Sequence, residues 1–294
     1  MADTKYGYLV KKLNYQKGPV GTMVWPMGSD LEGLNLNFIW GYVNVAGEWT
    51  PGRSGGHMHP HSECFVFAGI DYDHANDLGA EIEVTMGDEG EKYVFDTTTV
   101  VVAPAGFHHN PVVTRRLDKP YGFLLISLNG EPKTTDLPDR SGPPTTERKY
   151  GHLVKELNLR DTQRKEGGNA DFIAGWNGKG MEGFDLNFTW AFHTGLGAWH
   201  GDLDPHKHPA DECLLFVGLD PDNPGYLGAE IEIAMGEEQE KHVFDTPTVV
   251  VAPAGLVHCP LITRRVDKPY GFSAISLNAG HETTWLGKAA QSRT

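Results

Sequence analysis

The apolar and polar positions of this chain follow the two-residue period of β-strands. AEIEV at 80–84 and AEIEI at 229–233 alternate, as strands with one buried face do. CFVFAG at 64–69 and CLLFVG at 213–218 are short apolar runs, and FLLISLN at 123–129 is another strand candidate. VVVAPAG at 100–106 reads as a buried strand, closed by a Pro-Gly turn. Helical periodicity is weak, and a short terminal helix at 281–290 is the one helix expected. With 36 glycines and 19 prolines to turn the chain, the pattern predicts an all-β protein of the sandwich or jelly-roll type.

The pattern occurs twice. KYGYLVKKLN at 5–14 returns as KYGHLVKELN at 149–158. Residues 79–129 return as residues 228–278 at a constant offset of 149, without a gap. LNFIW at 36–40 echoes LNFTW at 186–190, each followed by a second tryptophan, Trp49 or Trp199. A period this long means two domains rather than a solenoid. The expected division is a first domain at 1–130, a linker at 131–148 rich in Pro, Thr and charge, and a second domain at 149–294.

Within the repeat, one set of residues stays while its neighbours change. The first half has His57-Met58-His59-Pro60-His61-Ser62-Glu63, the second His206-Lys207-His208-Pro209-Ala210-Asp211-Glu212. On extended backbone, His57, His59 and Glu63 share one face, as do His206, His208 and Glu212. A Pro-x-Gly-x-x-His string follows in each half and supplies His109 and His258. Three neutral imidazoles and a carboxylate form a nitrogen/oxygen site for a divalent first-row metal. Four protein ligands in an octahedral shell leave two positions open, a catalytic rather than a closed arrangement.

These strings resemble the two motifs of the cupin superfamily, His-x-His-x-x-x-Glu within the first and Pro-x-Gly-x-x-His within the second. Their duplication over nearly the whole chain looks like a bicupin. Gly69 and Gly218 follow after five intervening residues rather than six, and the Asn that often follows the last histidine is missing; neither departure touches a ligand. The resemblance implies tandem double-stranded β-helix barrels with a metal inside each. Manganese or iron is the expected ion, with zinc, nickel or cobalt also compatible. It implies an enzyme that cleaves a C–C bond in a small oxygenated compound. The favoured form is hydrolytic ring opening of a cyclic diketone, or of a polyhydroxylated aromatic-derived compound, through an enolate held at the metal. The alternatives are an Fe(II)-dependent ring-cleaving dioxygenase, a decarboxylase or isomerase of a small oxo acid, and a non-catalytic metabolite-binding cupin.

Around the ligands the halves diverge. His61 shares the ligand face of the first half and is a candidate acid/base group; His193 and His200 flank Trp199 and are candidates in the second. With Asp202, they favour the second barrel as the working one. His108 is expected to face away from His109, and Arg53 is a candidate for an anionic substrate. The pairs Arg115-Arg116 and Arg264-Arg265, in identical TRRxDKPYGF contexts, read as turn or ion-pair structure. Glu32 and Glu182 read as fold maintenance, and Cys64, Cys213 and Cys259 as buried side chains.

Composition narrows the rest. A formal net charge of -14 repels phosphate backbones, so nucleic acid is not an expected partner. No stretch approaches the ~20 apolar residues of a membrane span. Met1–Val10 lacks the apolar core of a secretory leader, and three cysteines make no disulfide framework, so the expected location is the cytoplasm. The expected partners are a small-molecule substrate and further copies of the chain, as a dimer or larger.

Overall fold

The structure is a computed structural model that describes residues 4–50, 56–138, 148–164, 168–199 and 205–286. Among these residues it is built of antiparallel strands and short 3-10 turns, without an α-helix. The chain forms two compact units, Tyr15–Asn158 and Met1–Asn14 with Leu159–Thr294.

In the Tyr15–Asn158 unit, a seven-stranded sheet runs in the order Val154–Glu156, Thr99–Ala103, Glu63–Ala68, Tyr121–Ser127, Asn37–Val43, Gly21–Val24, Gln16–Lys17. A second sheet runs Thr135–Asp136, His57–Met58, His109–Leu117, Asp77–Met86, Glu91–Thr97, with Gly47–Glu48 also on His109–Leu117. The other unit repeats the design. Its first sheet is Val10–Lys12, Thr248–Ala252, Glu212–Gly218, Tyr270–Ser276, Asn187–His193, Ala170–Trp176, Arg160–Asp161. Its second is Glu240–Phe244, Ala229–Met235, His258–Val266, His206–Lys207, Thr284–Trp285, with Gly197–Ala198 on His258–Val266. This is the expected all-β, tandem jelly-roll architecture.

The predicted strands form where the pattern places them. The continuous apolar runs are central strands whose residues are buried on both faces, among them Val66, Phe67, Val250 and Phe216. The alternating segments lie in Asp77–Met86 and Ala229–Met235. Their outward Glu81, Glu83, Glu230 and Glu232 meet the arginine pairs across the sheet: Arg115 reaches Glu83 at 2.9 Å and Arg264 reaches Glu230 at 3.5 Å. Arg116 and Arg265 close onto Asp118 and Asp267 at 2.8 and 3.1 Å. The pairs are thus surface ion-pair structure. Glu32 and Glu182 each sit at φ 57°, ahead of Gly33 and Gly183 at φ 82° and 83°, which makes matched left-handed turns of them.

Two features differ from the sequence reading. The helix expected at 281–290 does not form over its described part: Thr284–Trp285 is a strand on His206–Lys207, a pairing that only tertiary contact supplies. Residues 287–290 lie outside the described residues. The paired decapeptides also belong elsewhere than their repeats. Val10–Lys12 edges the sheet of the unit that contains Thr248–Ala252, and Val154–Glu156 edges the sheet that contains Thr99–Ala103. Leu9 and Leu13, like Leu153 and Leu157, are buried there, so these edges are covered by apolar anchors as well as by backbone hydrogen bonds.

Candidate metal centres

Cross-strand pairing builds each ligand set. His57 stands opposite His109, and His206 opposite His258, in the second sheet of each barrel. Glu63 and Glu212 begin a strand of the facing sheet. His59 and His208 sit in the turn between. In the first barrel, His59 Nε2 and His109 Nε2 lie 3.2 and 3.5 Å from Glu63 Oε2. In the second, His208 Nε2 and His258 Nε2 lie 3.6 and 3.4 Å from Glu212 Oε2. The fourth member packs alike in both: the His57 ring is 4.6 Å from His109, and the His206 ring 4.5 Å from His258.

The backbone fixes which ring nitrogen faces inward. His59 Nδ1 donates to Lys133 O at 2.7 Å and His208 Nδ1 to Glu282 O at 2.8 Å. His109 Nδ1 donates to Phe107 O at 2.9 Å and His258 Nδ1 to Leu256 O at 3.1 Å. A carbonyl only accepts, so each Nδ1 carries the proton and each Nε2 presents a lone pair. Burial pushes the His59 and His208 imidazoles below their ordinary pKa, which favours the neutral ligand form. Burial works against the charge of Glu63, yet the surrounding imidazoles of His109, His61 and His59 hold its carboxyl below the usual range. Glu212 is held down in the same way against its burial, by His258 and His208. Ser127 Oγ donates to the remaining Glu63 oxygen at 3.0 Å.

Lone pairs thus face a carboxylate oxygen in a dry interior. A cation between such crowded acceptors would compensate them. Among the described residues each barrel holds two overlapping three-atom groups, His57/His59/His109 with His59/His61/Glu63 and His208/Glu212/His258 with His206/His258/Cys259, so the donor set fits one divalent first-row ion per barrel.

A cavity of about 840 Å³ opens onto the second set, lined by His206, His208, Glu212 and His258. Its size follows from side chains that are smaller than their counterparts. Ile39, Phe65 and Leu125 lie on one face of three neighbouring strands in the first barrel. Thr189, Leu214 and Ala274 take those places in the second, and all three line the cavity.

The other predicted residues scatter. His61 lies against the first set, its Nε2 3.6 Å from Glu63 Oε1. His108 turns away and meets Asp88 at 3.1 Å. His193 lines the cavity but not near the ligands. It pairs with Tyr270, which pairs with Gly218, six residues along the strand from Glu212, or about 20 Å at strand rise. There it stacks on Trp199, with ring centroids 4.1 Å apart, and burial pushes its pKa down to about 3. His200, Asp202 and Arg53 lie outside the described residues. Cys64, Cys213 and Cys259 are buried thiols, but Cys259 also groups with His206 and His258. Sequence reading missed His281 and Trp285, whose rings stand 5.1 Å from His208 and 4.8 Å from His206. Neither has an aromatic or imidazole counterpart in the first half, where Pro132 and Asp136 stand, and no local motif marks them.

No family model matches the chain, and no curated protein does. Solved structures do. A variant of Bacillus subtilis oxalate decarboxylase superposes with a TM-score of 0.63 at 12% identity, over 94% of this chain and 79% of that one. The formate complex of Lactobacillus farciminis oxalate decarboxylase gives 0.63 at 13%, over 97% and 90%. A further structure of the Bacillus subtilis enzyme, solved for work on its Mn(II) centres, gives 0.63 at 12%, over 94% and 79%. At such identity the likeness is one of fold: two jelly-roll barrels in one chain.

Proposed function

We propose that this tandem pair of cupin barrels is a metal-dependent enzyme that cleaves a C–C bond of a small oxygenated compound in its second barrel. The observation that carries the reading is the cavity of about 840 Å³ opening onto a complete three-histidine, one-glutamate set. His206, His208, Glu212 and His258 would hold the ion, manganese by analogy with the Mn(II) centres of the fold neighbour. A bound divalent ion supplies Lewis acidity toward carbonyl and carboxylate oxygens. The chain does the rest. Trp285 packs on His206 and closes one side of the site, and Leu214 and Phe272 keep the interior apolar. His281, beside His208 on the cavity wall, is placed to carry the proton that replaces the broken bond.

Decarboxylation of a small oxo acid is the form that the fold neighbours favour. A second form, hydrolytic opening of a cyclic diketone, is favoured by the cavity itself. It is larger than a two-carbon acid needs, and among the described residues Arg160 is the one cation lining it. Turnover of small oxo acids and of cyclic 1,3-diketones by the Mn(II)-loaded protein, under air and under argon, with carbon dioxide measured, separates the forms. Carbon dioxide release marks decarboxylation, and ring opening under argon without it marks hydrolysis. Turnover of either kind that needs air marks a dioxygenase. In each case His206→Ala is expected to lower turnover at least 100-fold and His57→Ala less than threefold. Equal loss in both variants overturns the assignment to the second barrel.

A further inference from the structure

One imidazole of the first barrel has no equal in the second. His61 stands where the second half has Ala210, and it shares the parity of His57, His59 and Glu63. Its side chain is 8% exposed. Both ring nitrogens are buried without a hydrogen-bond partner. A buried imidazole in that state, with the facing carboxylate oxygen of Glu63 beyond hydrogen-bond distance, asks for another ligand.

The surroundings supply one. His61 Nε2 lies 3.6 Å from Glu63 Oε1, and its ring is 5.2 Å from that of His59. Ligand atoms of His59, His61 and Glu63 lie within 4.8 Å of one another, as do those of His57, His59 and His109. The two groups share His59. Atoms bound to a single divalent ion at about 2.1 Å are separated by at most about 4.2 Å, so a slight rotation of the rings satisfies one centre.

We infer that His61 is a fifth protein ligand, which gives the first barrel a four-histidine, one-glutamate site. The inference rests on the metal-binding reading of both barrels. Its consequence is a division of labour. Five protein ligands in an octahedral shell leave one free position, and a substrate that chelates through two oxygens needs two. The first-barrel ion is therefore retained and structural, in agreement with the bulk of Ile39, Phe65 and Leu125 around it. The second barrel, with Ala210, keeps two positions open.

The test isolates each site. In a His206→Ala background the first barrel alone is loaded with Mn(II). Its release into excess EDTA and the relaxation of water protons by the bound ion are then measured. The expected result is slow release and a relaxivity of at most one exchanging water. His61→Ala should speed release at least tenfold and add one exchanging water. His61→Gln, which keeps a donor toward Glu63 but is a poor ligand, should behave as His61→Ala does. In a His59→Ala, Glu63→Ala background, which breaks both ligand groups of the first barrel, Ala210→His should slow release from the second barrel and remove one exchanging water. This gain does not depend on whether the His61 variants fold. Release and relaxivity unchanged in His61→Ala, or restored by His61→Gln, overturn the inference and leave the metal reading intact. No Mn(II) bound in either background overturns both.

Discussion

His193 shows how burial decides what an imidazole does. Asn169 uses its amide to donate to Thr263 Oγ1 at 2.9 Å and to Gly195 O at 3.3 Å, so its Oδ1 accepts from His193 Nδ1 at 3.0 Å. Burial against Trp199 and Tyr270 holds the ring neutral, with its pKa near 3. A group that stays neutral across the physiological range has no proton to give as an acid there. It does make stability depend on pH. Its folded pKa lies below the ordinary 6.5, so its contribution is complete above pH 6.5 and is lost as pH falls from there toward 3. The metal-free protein should lose melting temperature over that window, and His193→Leu should show a flatter acid limb in thermal melts recorded from pH 7 to 4. An acid limb identical to that of the parent would show that His193 titrates normally.

At the scale of elements, the terminal strand matters most. Thr284–Trp285 pairs with His206–Lys207, and the residues just before it place Glu282 O on His208 Nδ1. One short segment therefore positions two of the four ligands. Its counterpart, Thr135–Asp136 with Lys133 O, does the same for His57 and His59, inside a stretch that composition marks only as a linker. Removing a partner that orients a ligating histidine typically costs 10- to 100-fold in metal affinity. A chain ending at Gly280 should lose affinity of that order in the second barrel only. Competition titration in the His57→Ala and His206→Ala backgrounds checks this, and equal affinities in both would contradict it. The edge strands Val10–Lys12 and Val154–Glu156 matter differently. Lys5 meets Glu238 at 2.5 Å, but both side chains are more than half exposed, where ion pairs contribute little. Leu9 and Leu13 are buried, at about 1.5–3 kcal/mol each, so packing rather than charge holds this edge.

At the scale of the whole molecule, one scaffold is used twice and filled differently. The two ligand sets have nearly the same geometry, whereas the space beside them does not. Restoring the first-barrel residues to the second, as Thr189→Ile with Ala274→Leu, should fill the cavity. Turnover should then fall more than tenfold, with metal content and melting temperature held or raised, since added apolar bulk in an open cavity replaces lost contacts. A double variant with full turnover would mean that substrate does not use this space. The described residues also contain no helix long and apolar enough to cross a membrane.

The eight candidate ligands, the duplication and the strand pattern were legible in the chain alone. Each depends on local spacing: the parity of His-x-His-x-x-x-Glu, the offset of 149, the two-residue alternation. What tertiary structure decided depends on residues far apart in sequence. It placed the decapeptide strands on their sheets, put the strand Thr284–Trp285 inside the helix expected at 281–290, and brought His281 and Trp285 to the second candidate metal set. It also separated His193 from the ligands and left a cavity where Thr189, Leu214 and Ala274 meet. Periodicity tells which face a side chain takes, but only pairing across strands tells what it meets there.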